Sequence, residues 1–156
     1  MTHALRLLKG HHALTNAELA TIAPADVTAL MHVAQDPRRP KWQRLKALSL
    51  LGRHPSPEVF AIWQVARTWP KELRVQAAFS EGWAHRRDKS FSAYANALLG
   101  DDDPALREVA IHLLYAQGSV AATKQLEDRL HQESNPICRA LIARRLRALH
   151  KKSLAP

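Results

Sequence analysis

Four arginines return in this chain at a near-constant interval, each three or four positions behind a proline. They are Arg44 in P-K-W-Q-R-L-K-A, Arg74 in P-K-E-L-R-V-Q-A, Arg107 in P-A-L-R-E-V-A and Arg139 in P-I-C-R-A-L-I, at spacings of 30, 33 and 32 residues. A guanidinium is a permanently charged planar fork that donates two parallel hydrogen bonds to a phosphate or a carboxylate. One such group per helical layer, spaced by helix packing at about 10 Å, would make a ladder of phosphate contacts along a groove.

Other basic groups stand outside that ladder. Arg38, Arg39 and Lys41 share one turn with Pro40, and Arg86 and Arg87 follow His85 in another, with Lys89 close behind. Arg144, Arg145, Arg147, Lys151 and Lys152 crowd the end of the chain. The net charge is +9 and the pI about 10.3. Its distribution is uneven: residues 101–133 hold 3 Lys/Arg against 7 Asp/Glu, whereas residues 134–156 hold 6 against none. A basic excess of this kind suits an anionic partner, an acidic protein or a nucleic acid.

Few residues suit bond-making chemistry. The nine histidines are scattered, His11 and His12 being adjacent and so on different faces of a helix, and no H-E-x-x-H motif is present, so no metal site is expected. Asp101-Asp102-Asp103 precedes a proline-led helix and reads as a capping turn. There is no glycine-rich phosphate loop and no G-x-S-x-G elbow, and Cys138 lies within a repeat as a small apolar filler. No cofactor is expected. A single cysteine and the lack of a long apolar run fit a cytoplasmic protein without a membrane span.

The elements that must carry these side chains are helices. Pro57, Pro104 and Pro136 follow Ser56, Asp103 and Asn135, which are N-cap residues ahead of a proline at the first helical position. Thr15-Asn16-Ala17-Glu18 reads as a capping box, and Gly52, Gly100 and Gly118 fall where helices should stop. Apolar residues recur at three and four positions in Leu106, Val109, Ala110, Leu113 and Leu114, in Leu45, Ala47, Leu48 and Leu51, and in Val59, Ile62, Trp63 and Ala66. Val120, Leu126 and Leu130 are assigned the same part in a later helix. The pattern predicts helices near 2–9, 15–22, 25–35, 41–52, 57–68, 71–85, 90–99, 104–117, 119–132 and 136–150.

The run D-D-D-P-A-L-R-E-V-A-I-H-L-L resembles the second half of a HEAT repeat, with Asp101, Leu106, Arg107, Ala110 and Leu114 at the matching positions. Pro40, Arg44, Ala47 and Leu51, and Pro136, Arg139 and Leu146, match less completely. The resemblance implies an all-α, right-handed α-α superhelix, a short solenoid of about four to five helix pairs. It covers residues 24–150 of a single domain, with capping helices over 1–23 and a basic tail over 151–156. In such repeats the arginine commonly pairs with an acid of the preceding turn. That implies Asp36 for Arg44, Asp101 or Asp103 for Arg107, and Glu133 for Arg139. The second unit departs from the pattern: Glu81 stands where the others have leucine, followed by Gly82, which points to a bend or a different local packing.

The segments V-Q-A-A-F-S (75–80) and N-P-I-C-R-A-L (135–141) look like repeat segments of the DNA alkylation repair glycosylases, themselves HEAT-like. That resemblance implies a basic surface gripping DNA, with Trp42, Trp83 and Tyr115 facing an alkylated base. No Asp or Glu matches the catalytic acid. The reading favoured by the residues is a non-enzymatic interaction module that binds an acidic protein partner on a concave basic surface. Nucleic-acid binding, with base excision as its enzymatic form, is the alternative. The expected contact residues are Arg38, Arg39, Lys41, Trp42, Arg44, Arg74, Trp83, Arg86, Arg87, Arg107, Arg139, Arg144 and Arg145.

Overall fold

A computed structural model describes residue 6, residue 8 and residues 15–153. Among the described residues every regular element is a helix: α1 Asn16–Ala20, α2 Pro24–Gln35, α3 Lys41–Leu51, α4 Pro57–Ala66, α5 Lys71–His85, α6 Phe91–Leu99, α7 Pro104–Gln117, α8 Val120–Gln132 and α9 Pro136–Ser153. Of the helix expected near 2–9 only residues 6 and 8 are described, and the pair His11-His12 lies outside the described residues. The last helix outruns its expected end, so Lys151 and Lys152 of the basic tail are helical.

The helix starts follow from their caps. Thr15 and Glu18 form the reciprocal box, Glu18 Oε2 accepting the Thr15 N–H at 2.8 Å and Thr15 Oγ1 the Glu18 N–H at 3.2 Å. Ser56, Asp103, Ser119 and Asn135 each accept a first-turn N–H that would otherwise be unpaired. Of the three glycines at helix ends, only Gly118 takes the left-handed conformation, at φ 63°. Gly52 is needed for a different reason. A Cβ there would lie 3.2 Å from the Ser80 carbonyl oxygen, because the end of α3 rests directly on the backbone of α5.

Two compact units divide the chain, residues 1–84 and 85–156. In the first, α2 packs on α3 and α4. Leu30, Val33, Ala34, Ala47, Leu48, Leu51, Val59, Trp63, Leu73 and Ala77 close its core, with Phe60 set edge-on to Trp63 at 5.0 Å. Glu81 is buried here, its carboxylate taking Gln64 Nε2 at 2.9 Å and Arg67 Nη2 at 3.4 Å. The local packing therefore differs from the leucine repeats, while α5 runs through Glu81 and Gly82 without a break.

In the second unit α6 packs on α7, and α7 on both α8 and α9. Phe91, Leu99, Leu106, Val109, Ala110, Leu113, Leu114, Ala122, Leu126, Cys138, Ile142 and Leu146 are buried. Val120 is a correction: it is 90% exposed, at the first position of α8. Six residues separate it from Leu126, about 600° of helical rotation, so it faces away from the stripe. Ala122 and Leu126 carry that stripe instead.

Candidate basic binding surface

The recurring arginines serve the backbone before anything else. Arg44 Nε donates to the Ala34 carbonyl at 2.9 Å, and Arg139 donates to the Glu133 carbonyl from Nε at 2.9 Å and Nη2 at 2.6 Å. Arg107 Nη1 reaches the carbonyls of Asp101 and Asp102 at 2.8 and 2.9 Å. These carbonyls lie in the last turn of the preceding helix or the turn after it, where a helix leaves acceptors unpaired and its dipole favours a cation. The repeat spacing therefore reflects a helix-end clasp.

The carboxylate of Glu133 draws Arg107 and Arg129 together. It is fully buried at the end of α8 and receives Arg107 on both oxygens at 3.0 Å, Arg129 Nε at 3.0 Å and the Asn135 N–H at 2.8 Å. Burial acts to raise its carboxyl, but the bonds from Arg107, Asn135 and Arg129 outweigh that and hold it below the ordinary carboxylate range. Arg107 is raised in turn, by its hydrogen bonds to Glu133 against the opposing effect of burial. The acids implied for these arginines are corrected accordingly. Asp101 and Asp103 spend their carboxylates on the capping turn, accepting the N–H of Asp103 and Ala105 at 2.8 and 2.9 Å. Asp36 likewise accepts the Arg38 N–H at 2.9 Å, and Glu133 takes Arg139 through its backbone oxygen.

The other expected contact residues fall into separate groups. In the first unit Arg38 and Arg39 are exposed in the α2–α3 turn, and Lys41 pairs with Glu72 at 2.8 Å. Trp42 and Arg74 are half-buried. Arg44 lies over Trp69 at 4.9 Å, an aromatic partner outside the expected set. Trp83 stacks on Phe79 at 6.3 Å beside Arg53, in a hollow of about 220 Å³. In the second unit Arg86 is half-buried and Arg87 exposed.

The densest group is on α7 and α9. Arg144, Arg147 and Lys151 are exposed on α9 and make no ion pair among the described residues. Arg145 lies over the Tyr115 ring at 4.4 Å and Lys152 over the same ring at 5.3 Å. Arg145 Nη2 donates to His112 Nδ1 at 3.2 Å. The two helices run side by side in register, fixed by that contact and by Cys138 Sγ donating to the Pro104 carbonyl at 3.6 Å. Between them lies an open groove of about 680 Å³. One end carries Ile137, Ala140, Leu141 and Glu108, and the other His112, Arg144 and Arg147. Ile137 is 67% exposed. His112 was legible only by register: it stands five residues after Arg107, as Arg144 does after Arg139.

Among the described residues no cluster of three or more His, Cys, Asp or Glu could hold a metal ion. None of their helices is long and apolar enough to cross a membrane.

Successive proline-led helices, with Arg44, Arg107 and Arg139 each clasping the helix end before it, define an all-α helical-repeat protein. A family model of HEAT repeats matches residues 59–147, more than half of the chain, and the chain belongs to that family. Comparison with curated proteins and with solved structures finds no match.

Proposed function

We propose that this protein is a non-enzymatic HEAT-repeat interaction module that grips an acidic segment of a protein partner on the α7–α9 face. One observation carries the reading. The fork of Arg107 is taken up inside the fold, whereas Arg144 and Arg147 stand exposed without an ion-pair partner in a groove whose other end carries Ile137, and Lys151 is exposed farther along α9. Exposed cations about two helical turns from an exposed apolar side chain match a segment that places an apolar residue about 10 Å from its acids. The basic groups of the first unit, Arg38, Arg39 and Lys41, would extend electrostatic attraction without fixing register.

The test is fluorescence anisotropy with labelled hexaglutamate peptide and with labelled duplex DNA. Peptide binding that Arg144→Glu/Arg147→Glu abolishes, at unchanged thermal stability, supports the reading. Tight duplex binding with a steep salt dependence, and no peptide binding, would replace it with the nucleic-acid alternative.

A further inference from the structure

The contact between Arg145 and His112 constrains a proton. Arginine has no acceptor, so His112 Nδ1 must accept, and the imidazole is neutral with its hydrogen on Nε2. Its surroundings explain that state. Burial lowers its pKa first and Arg145 of α9 lowers it further; Glu108 of its own helix acts the other way, and Arg144 of α9 adds the smallest lowering.

Arg145 is itself short of an anion. It is half-buried against Tyr115, its Nε is buried with no hydrogen-bond partner, and no carboxylate lies within ion-pair distance among the described residues. Arg107, in the same unit, shows the alternative, because there a buried guanidinium is met by Glu133. His112 occupies the acceptor place that an acid would fill, and it also lines the groove next to Arg144 and Arg147.

Building on the partner class proposed above, we infer that the α7–α9 groove is a proton-linked carboxylate site. An acidic side chain of the partner binds against Arg144 and His112, and His112 takes up one proton as it does so. The chemistry balances without a co-reactant: the proton comes from solvent, Nδ1 changes from acceptor to donor, and the negative charge of the incoming carboxylate offsets the positive charge that His112 gains. Before binding, a protonated His112 would stand beside Arg145 and the groove residue Arg144. After binding, an anion lies against Arg144 and His112, so the same protonation becomes favourable.

The experiment measures hexaglutamate affinity from pH 5.5 to 8, where the peptide carboxylates stay ionised, alongside NMR titration of the His112 ring with and without peptide. Wild-type affinity should rise as pH falls, by up to about tenfold per unit while one proton is taken up, and peptide should raise the His112 pKa. His112→Gln keeps an acceptor for Arg145 and should remove that slope. Without peptide, Arg145→Gln should move the His112 titration upward. Equal slopes in wild type and His112→Gln, with binding still lost in Arg144→Glu/Arg147→Glu, would overturn the proton linkage and leave the interaction reading standing. No peptide binding at any pH would overturn both.

Discussion

Glu133 and His112 are opposite answers to one problem, a guanidinium partly removed from water. Glu133 neutralises Arg107 with two direct bonds in a fully buried place. Removing one partner of such a pair strands the other charge, so Glu133→Gln is expected to cost about 3–5 kcal/mol, read from urea unfolding. Its carboxyl is held low in the folded state, so its contribution is complete above the ordinary carboxylate pKa of about 4.3 and fades as pH falls through the folded value. Glu133→Gln should therefore flatten that acid limb. His112 works with the other sign. It is a base with a lowered folded pKa, so folding disfavours its protonation and stability drops as pH falls below about 6.5. In differential scanning fluorimetry His112→Gln should lose less melting temperature than wild type between pH 7.5 and 5.5. The sequence announces the recurring arginines plainly, because a period is a one-dimensional property. It does not announce which acid meets Arg107, because Glu133 is 26 residues away and becomes a neighbour only when helices stack.

At the scale of the helix, caps and apolar spacing anticipate nearly every described element. Ser56, Asp103, Ser119 and Asn135 mark starts through interactions made within four residues, which is why they can be read locally. Val120 misled because a β-branched residue beside a cap looks apolar whichever way it points, and only the rotation to Leu126 tells. Gly52 looks like a helix stop but is also a spacer. Its backbone is right-handed, and a methyl group would press on the Ser80 backbone at 3.2–3.3 Å. Gly52→Ala should destabilise the first unit by about 1–3 kcal/mol through overpacking, measured by thermal unfolding. Gly100→Ala, where an added Cβ meets nothing closer than 3.7 Å, is the matched control and should change far less.

At the scale of the whole molecule, charge decides association more than fold. The +9 net charge is long-range and falls off with salt, whereas the α7–α9 groove adds apolar contact at Ile137. Binding of hexaglutamate should therefore weaken with salt, and a peptide with leucine placed before its glutamates should keep more affinity at 0.3 M salt than hexaglutamate does. Ile137→Ser should remove that difference and leave the salt dependence of hexaglutamate unchanged, as followed by anisotropy. Because Ile137 is exposed, the substitution should leave stability within about 0.5 kcal/mol.

The sequence by itself determined that this chain is a run of capped helices with an arginine-marked repeat, since caps, stripes and periods depend on neighbours a few residues apart. Tertiary structure decided what the arginines do. The clasp of Arg107 by Glu133, the burial of Glu81 against Gln64 and Arg67, and the meeting of Arg145 with His112 all join distant residues. Which cations are consumed inside the fold and which are left exposed is settled by packing, because only packing sets the distance between charges and the water around them.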